Sequence, residues 1–405
     1  MKRIYLDHAA ATPVDSRVKA IMEPFLNVTF ANPGAIHKEG VAAKRALELA
    51  RETIANLLHV HSNEIIFTAS ATESVNLAII GAVRKWQEMH TGKVAHVIVS
   101  SIEHDAVLES VRLLESEGVR VDRIPVLESG VIDLEVLKEK IEESTVIISV
   151  MYANNEIGTI EPIRDIAKTI RKWKKDVRAV TRTGKPEGDQ LYPLFHTDAC
   201  QAINYCDVDI AVLGVDLMTL NGAKIYGPKG VGALVRLRAA PIAPIIVGGG
   251  HEYGLRAGTE NVSGIVGFAE ALKLATEMCE SESARLTAIR DHAFLELEKN
   301  IPAVIINGSK SERLPNNVHF SIPDVDHEFL ALALDARGFA VATKSACNEF
   351  DADTSHVLKA LRSGNKSNLP ESGIRLSLGR SSERENIDVF ILALKEILDT
   401  MIMRV

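Results

Sequence analysis

Apolar positions along the chain alternate between two periods. From Val41 to Leu58 they recur at helical spacing (Ala46, Leu49, Ala50, Ile54, Leu57, Leu58), which predicts an amphipathic helix. Glu64 to Thr68 (EIIFT) reads as a short strand, Ala69 to Thr72 as a small-residue turn, and Glu73 to Met89 as a second helix. That order returns. Strand Val94–Ser101 leads to helix Ala106–Glu117, strand Arg120–Pro125 to helix Leu134–Glu143, and strand Val146–Met151 through ANNEIGTIEP to helix Ile163–Trp173. Residues 1–38 read as irregular, with Asp7, Pro13, Asn32, Pro33 and Gly34 as breakers.

Such alternation predicts an α/β protein with a mostly parallel sheet and helices on both faces, its active site at the carboxyl ends of the strands. Thr72, His104, Asn155 and Asp198 all fall at such ends. Residues 174–193 show no clear period and carry charges of both signs, which predicts a polar surface excursion. After Gly250 the pattern changes to a long helix, about Val262–Asn300, followed by strands 303–306 and 317–322, a helix over 327–337, strands near 339–343 and 374–378, and a closing helix over 383–403. The expected division is therefore a large domain over 1–260 and a smaller α+β C-terminal domain over 261–405.

Composition narrows the class. The chain has 405 residues, 46% hydrophobic and 25% charged, with a net charge of −8. That balance gives no reason to expect nucleic acid or an anionic membrane as partner, and no apolar run is long enough to span a bilayer. The N-terminus MKRIYLDHAA lacks a secretory apolar segment, so a cytoplasmic location is expected. Cys200, Cys206, Cys279 and Cys347 show no CxxC spacing. They read singly, as core residues or a reactive thiol, and no metal site is expected.

The candidate chemistry concentrates in FHTDACQ and NGAKIYGPKG. A strand-end carboxylate, Asp198, followed by a lysine in a Gly-rich turn, Lys224, is what an enzyme needs to pair with the ring nitrogen of pyridoxal phosphate (PLP) and anchor it covalently. Each residue has a plainer reading: a surface lysine for Lys224, a helix cap for Asp198, an exposed first-turn glutamine for Gln201, a structural histidine for His104, an ion-paired arginine on a sheet edge for Arg375.

The motifs YLDHAAATPVD, NPGAIHKEG, FTASATESVNLAI, SIEHDAVL, MYANNEIGTIEPI, HTDACQ, GAKIYGPKGVGAL, GGGHEYGLRAGTENV, SAC and GIRLSLGR decide among these. In this order and over nearly the full length the chain resembles cysteine desulfurases of the NifS/IscS type, in the class V aminotransferase superfamily. The resemblance implies PLP-dependent transferase fold type I. It implies that Lys224 binds PLP and acts in proton transfer, that Asp198 and Gln201 hold the ring, and that His104 and Cys200 lie on its two faces. It further implies a phosphate site at Ala71, Thr72 and Asn221, completed by Thr259 of a second copy in a homodimer. Arg375 and Asn155 would bind the substrate carboxylate, with Arg256 near the dimer-related site, and Cys347 would be the nucleophile that carries sulfur from L-cysteine to an acceptor such as an iron–sulfur scaffold or to tRNA thiolation.

Two departures stand out. Where the family usually has Ser-Gly-His-Lys, this chain has Asn221-Gly222-Ala223-Lys224. One lost charge-assisted hydrogen bond costs about 1.5–3 kcal/mol, so a looser phosphate grip is expected. Around Cys347, Lys344 would favour the thiolate and Glu349, Asp351 and Asp353 would oppose it, which suggests a partner with a basic docking face. A selenocysteine lyase, a transaminase and a non-enzymatic scaffold for sulfur acceptors remain as alternatives.

Overall fold

A computed structural model describes residues 3–180, 191–343, 354–362 and 370–402. Lys344, Cys347, Glu349, Asp351 and Asp353, and residues 181–190 of the 174–193 excursion, lie outside the described residues. The elements run β1 (Ile4–Tyr5), α1 (Ser16–Met22), α2 (Pro24–Asn27), α3 (Lys38–Leu57), β2 (Ile65–Thr68), α4 (Ala71–Met89), β3 (His96–Ser100), α5 (Asp105–Ser116), β4 (Arg120–Ile124), α6 (Leu134–Lys140), β5 (Thr145–Ser149) and α7 (Ile163–Val180). There follow β6 (Leu194–Asp198), α8 (Ile210–Leu213), β7 (Leu217–Asn221), β8 (Gly232–Arg236), α9 (Val262–Asn300), β9 (Ile305–Ile306), β10 (Asn317–Ser321), α10 (His327–Ala336), β11 (Phe339–Ala340), α11 (His356–Arg362), β12 (Ile374–Ser377) and α12 (Arg384–Ile402).

Seven strands form the main sheet in the order β2-β8-β7-β6-β5-β3-β4. β7, β6, β5, β3 and β4 pair in parallel with one another, and β8 is antiparallel to both β2 and β7. Both faces are covered, and the strand residues sort between them by the pleat. Phe67, Ile98, Ile148, Phe195 and Met218 join one core, over which α3, α7 and the first half of α9 lie. Their neighbours Ile66, Val97, Ile147, Leu194 and Leu217 join another beneath α4 and α5. A third core unites β10, β12, α10, α12 and the second half of α9, and it takes in Leu6 from the N-terminal segment. The single long helix α9 is thus shared, with Phe268 in the first core and Phe294 in the third.

Polar caps start the helices at the strand ends. Ser70 accepts from the Glu73 N–H at the head of α4, His104 from Ala106 at the head of α5, and Asn261 from Gly264 at the head of α9. Two expectations need correction. Residues 174–180 are helical, because Trp173 and Val177 continue the stripe of Ile163, Ile166, Ala167 and Ile170 across a stretch whose charges hide the period. The segment before residue 38 holds two short helices, the first capped by Asp15 and packed through Val18, the second started by Pro24. Among the described residues, no helix is long and apolar enough to cross a membrane.

Phe320 and Phe390 are fully buried and meet edge to face at 6.5 Å in the third core. Phe320→Ala should lower stability by about 3–5 kcal/mol, read as a fall in the urea midpoint.

Candidate active site

At the carboxyl ends of the parallel strands lies a cavity of about 170 Å³. The order of strands reverses at β3 and β5, since β4 flanks β3 on one side and β5 on the other. Ligands bind at such a reversal in open α/β sheets because the loops on either side diverge there. His104 follows β3, Asn155 follows β5, Asp198 ends β6 with Cys200 and Gln201 just beyond it, and Asn221 ends β7 with Lys224 in the next turn. All of these line the cavity, together with Ala71 and Thr72 at the head of α4 and Arg375 from β12.

The Lys224 amine donates to the carbonyl oxygens of Ala9 at 2.8 Å and Ala10 at 2.6 Å. The Gln201 amide donates to Ala9 O at 3.0 Å. Asp198 is 8% exposed, and its Oδ1 accepts the Cys200 N–H at 2.9 Å. Beneath it, His196 is fixed between Ser149 at 2.8 Å and Thr219 at 3.0 Å, and burial pushes its pKa down to about 4. The Cys200 thiol is pushed well up by burial and then by Asp198, so it stays protonated and acts as a packing group.

Arg375 is 2% exposed. Its Nη1 donates to Asn155 O at 2.8 Å and its Nη2 to Asp7 Oδ1 at 2.8 Å, while Nε is buried without a hydrogen-bond partner among the described residues. A guanidinium held from one side with a donor to spare is suited to a carboxylate ligand.

The donor set fits PLP. A carboxylate for the ring nitrogen, an amine for covalent attachment and the head of a helix for the phosphate surround one cavity. The sheet is shaped for that helix head as well. A Cβ on Gly232 would lie 2.9 Å from Ser70 C and 3.1 Å from Ala71 N, so glycine lets α4 start against β8. Asn221 Oδ1 accepts from Ala223 N at 2.9 Å, which leaves the amide Nδ2 as its donor towards an anion.

Comparison with known proteins agrees with this geometry. The family model for aminotransferase class-V matches residues 4–182 and 189–390. The chain belongs to the class-V aminotransferase family. Within it, the chain is 41% identical over 402 residues to cysteine desulfurase IscS of Dictyoglomus turgidum, covering 99% of this chain and 96% of that protein. It is 39% identical over 400 residues to cysteine desulfurase IscS of Methanosarcina thermophila, covering 99% of this chain and 93% of that one. A solved NifS-like protein superposes with a TM-score of 0.86 at 33% identity, covering 98% of this chain and all of that one. The solved structure of SspA in complex with cysteine aligns at 0.74 and 33% identity, covering 92% and 98%. The fold-type-I architecture and the NifS/IscS resemblance expected from the motifs therefore hold for this family member.

Thr259 does not line the cavity; it is exposed in the turn before α9. Arg256 pairs with Glu73 of the same chain at 2.8 Å. Several cavity residues escaped the motif reading: Ala9, Ala10, Ala106, Met151 and Ala153, and Asp7 behind Arg375. Ala9 and Ala10 act through main-chain carbonyls, which no side-chain pattern advertises. Asp7 could have been found as the one carboxylate in the LDHAAA stretch.

Asp7→Asn leaves the buried guanidinium without its counter-charge. It should cost about 3–5 kcal/mol, seen as a lower Tm at pH 7, and the loss should shrink when Arg375→Met is combined with it.

Proposed function

We propose that this chain is a PLP-dependent cysteine desulfurase that converts L-cysteine to L-alanine and keeps the sulfur as a persulfide on Cys347. The observation that carries the reading is the meeting of Lys224, Asp198 and Arg375 around one cavity, in a chain similar over its whole length to proteins named cysteine desulfurase.

When bound, PLP supplies a ring that withdraws electrons from the substrate's amino-bearing carbon. Asp198 would hold the proton on the ring nitrogen, Gln201 would donate towards the ring oxygen, and His104 and Cys200 would cover its faces. The N–H groups at the head of α4, with Thr72 and Asn221, would take the phosphate. Lys224 would anchor the cofactor and move the proton at the substrate's α carbon, a general acid/base task. For that role its amine leaves the Ala9 and Ala10 carbonyls. Arg375 Nε and Asn155 would receive the substrate carboxylate. Cys347 would then take the sulfur as a thiolate nucleophile.

The ends of the segment that carries Cys347 support its role. Before it, Ala342 exchanges backbone hydrogen bonds with Arg375 at 2.7 and 3.2 Å. After it, Ser355 donates to Glu156 at 2.5 Å, next to Asn155. A homodimer in which Thr259 of a second copy completes the phosphate site, delivery of sulfur to iron–sulfur clusters or tRNA, and a cytoplasmic location belong to the same proposal. The exposure of Thr259 supports the first of these.

Incubation of the PLP-loaded protein with L-cysteine should release alanine and add one sulfur to Cys347 by mass spectrometry, and an added thiol reductant should then release that sulfur as sulfide. Cys347→Ser should cut alanine formation roughly 100-fold or more, about 2.7 kcal/mol of transition-state stabilisation. Lys224→Ala should abolish it. A protein that forms no alanine from L-cysteine but converts it to the keto acid, equally well as Cys347→Ser, would instead be a transaminase.

A further inference from the structure

The loops on the two sides of the strand-order reversal are held by a residue outside the cavity lining. Glu103, which precedes His104, is fully buried. Its Oε1 accepts from Ser100 Oγ at 2.5 Å and from the Met151 N–H at 2.8 Å. Ser100 ends β3 and Met151 follows β5, so one carboxyl group spans the two strand ends that carry His104 and Asn155. Its main-chain carbonyl accepts from His356 Nε2 at 2.9 Å. His356 opens α11, the helix that follows Cys347 in the chain.

We propose that Glu103 is a positioning residue of the active site, fixing His104 against the cofactor through its side chain and α11 through its carbonyl oxygen. The inference rests on the desulfurase reading above and assigns a role to a residue that touches neither cofactor nor substrate.

The surroundings specify which form of the acid does this. Oε2 is buried with no hydrogen-bond partner among the described residues, and an ionised carboxylate with an unsatisfied oxygen is costly in a dry site. Around the group stand Ser100 from β3, Met151 N–H beyond β5, Asp198 from β6, Glu161 ahead of α7 and His356 from α11. Burial pushes the carboxyl up to about 8; the Ser100 and Met151 hydrogen bonds oppose this, and Asp198 and Glu161 add to it. Glu103 is therefore neutral at pH 7 and adds no second negative charge beside Asp198. Ionisation above pH 8 would place one there and loosen the turn that carries His104. Because the folded-state pKa is raised, the stability this acid contributes is full below the ordinary carboxylate pKa and is lost as pH rises to about 8.

The test compares wild type, Glu103→Gln, Glu103→Ala and His356→Ala as PLP-loaded enzymes, measuring alanine release from L-cysteine between pH 6 and 9.5. A parallel series follows the Tm of the cofactor-free proteins with pH. Glutamine keeps the acceptor for Met151 N–H and cannot ionise. Glu103→Gln should hold the pH 7 rate within about threefold, less than 1 kcal/mol, and should lack the decline that wild type shows above pH 8. Glu103→Ala should lose roughly tenfold in kcat with KM little changed, and His356→Ala should lose kcat in the same sense. The Tm of wild type should fall relative to that of Glu103→Gln as pH climbs from 5 to 8.

Equal kcat in Glu103→Ala and wild type would overturn the inference, as would a Glu103→Gln profile that declines like wild type. If Glu103→Ala does not fold, the glutamine variant alone decides through its pH profile. A wild-type protein that forms no alanine sinks the desulfurase reading instead, and parallel Tm curves for wild type and Glu103→Gln would then overturn the inference separately.

Discussion

Burial of the Arg375 guanidinium constrains more of this structure than any other single feature. A charged group at 2% exposure must be paired and hydrogen-bonded. Its partners come from three separate parts of the chain. Asp7 belongs to the N-terminal segment, 368 residues away; the Asn155 carbonyl belongs to a loop of the main sheet; and Arg375 itself lies in the small sheet, with Ala342 alongside. Satisfying one cation therefore docks the small sheet on the large one and draws the N-terminus between them. The same docking brings the Ala9 and Ala10 carbonyls to Lys224, so the place where a substrate carboxylate would bind and the place where a cofactor would attach are set together.

The main sheet supplies the other half of the site through its topology. Parallel strands deliver their carboxyl ends to one edge, and the reversal at β3 and β5 opens the crevice there. Two cores cover the faces of the sheet, and α9 runs from the first of them into the third. The cavity is lined both from the ends of the main sheet and by Arg375 of the small sheet.

Beneath the cavity, desolvation favours the neutral form of three buried groups. It pushes His196 down to about 4, Glu103 up to about 8 and the Cys200 thiol upward. Each shift favours the uncharged form. A floor of neutral polar groups lies under Asp198 and His104 without adding charges of its own.

The strand–helix alternation between residues 41 and 173, the placement of Thr72, His104, Asn155 and Asp198 at strand ends, and the joint role of Asp198 and Lys224 at one cavity were legible in the chain. Hydrophobic periodicity and turn chemistry are local properties, and a site built at strand ends inherits their positions. The helical run past Trp173 was present in the same pattern, hidden by its lysines and arginines, and the short helices before residue 38 were missed because Asp15 and Pro24, which cap and start them, stand among breakers that read as irregular chain. What the sequence could not contain was any contact made through the main chain or across hundreds of residues. The carbonyls of Ala9 and Ala10 under Lys224, Asp7 against Arg375, and the span of Glu103 from β3 to β5 follow from how the segments pack. Side-chain type fixes what a residue can do, while distance and burial, which only the folded chain possesses, decide whether it does it.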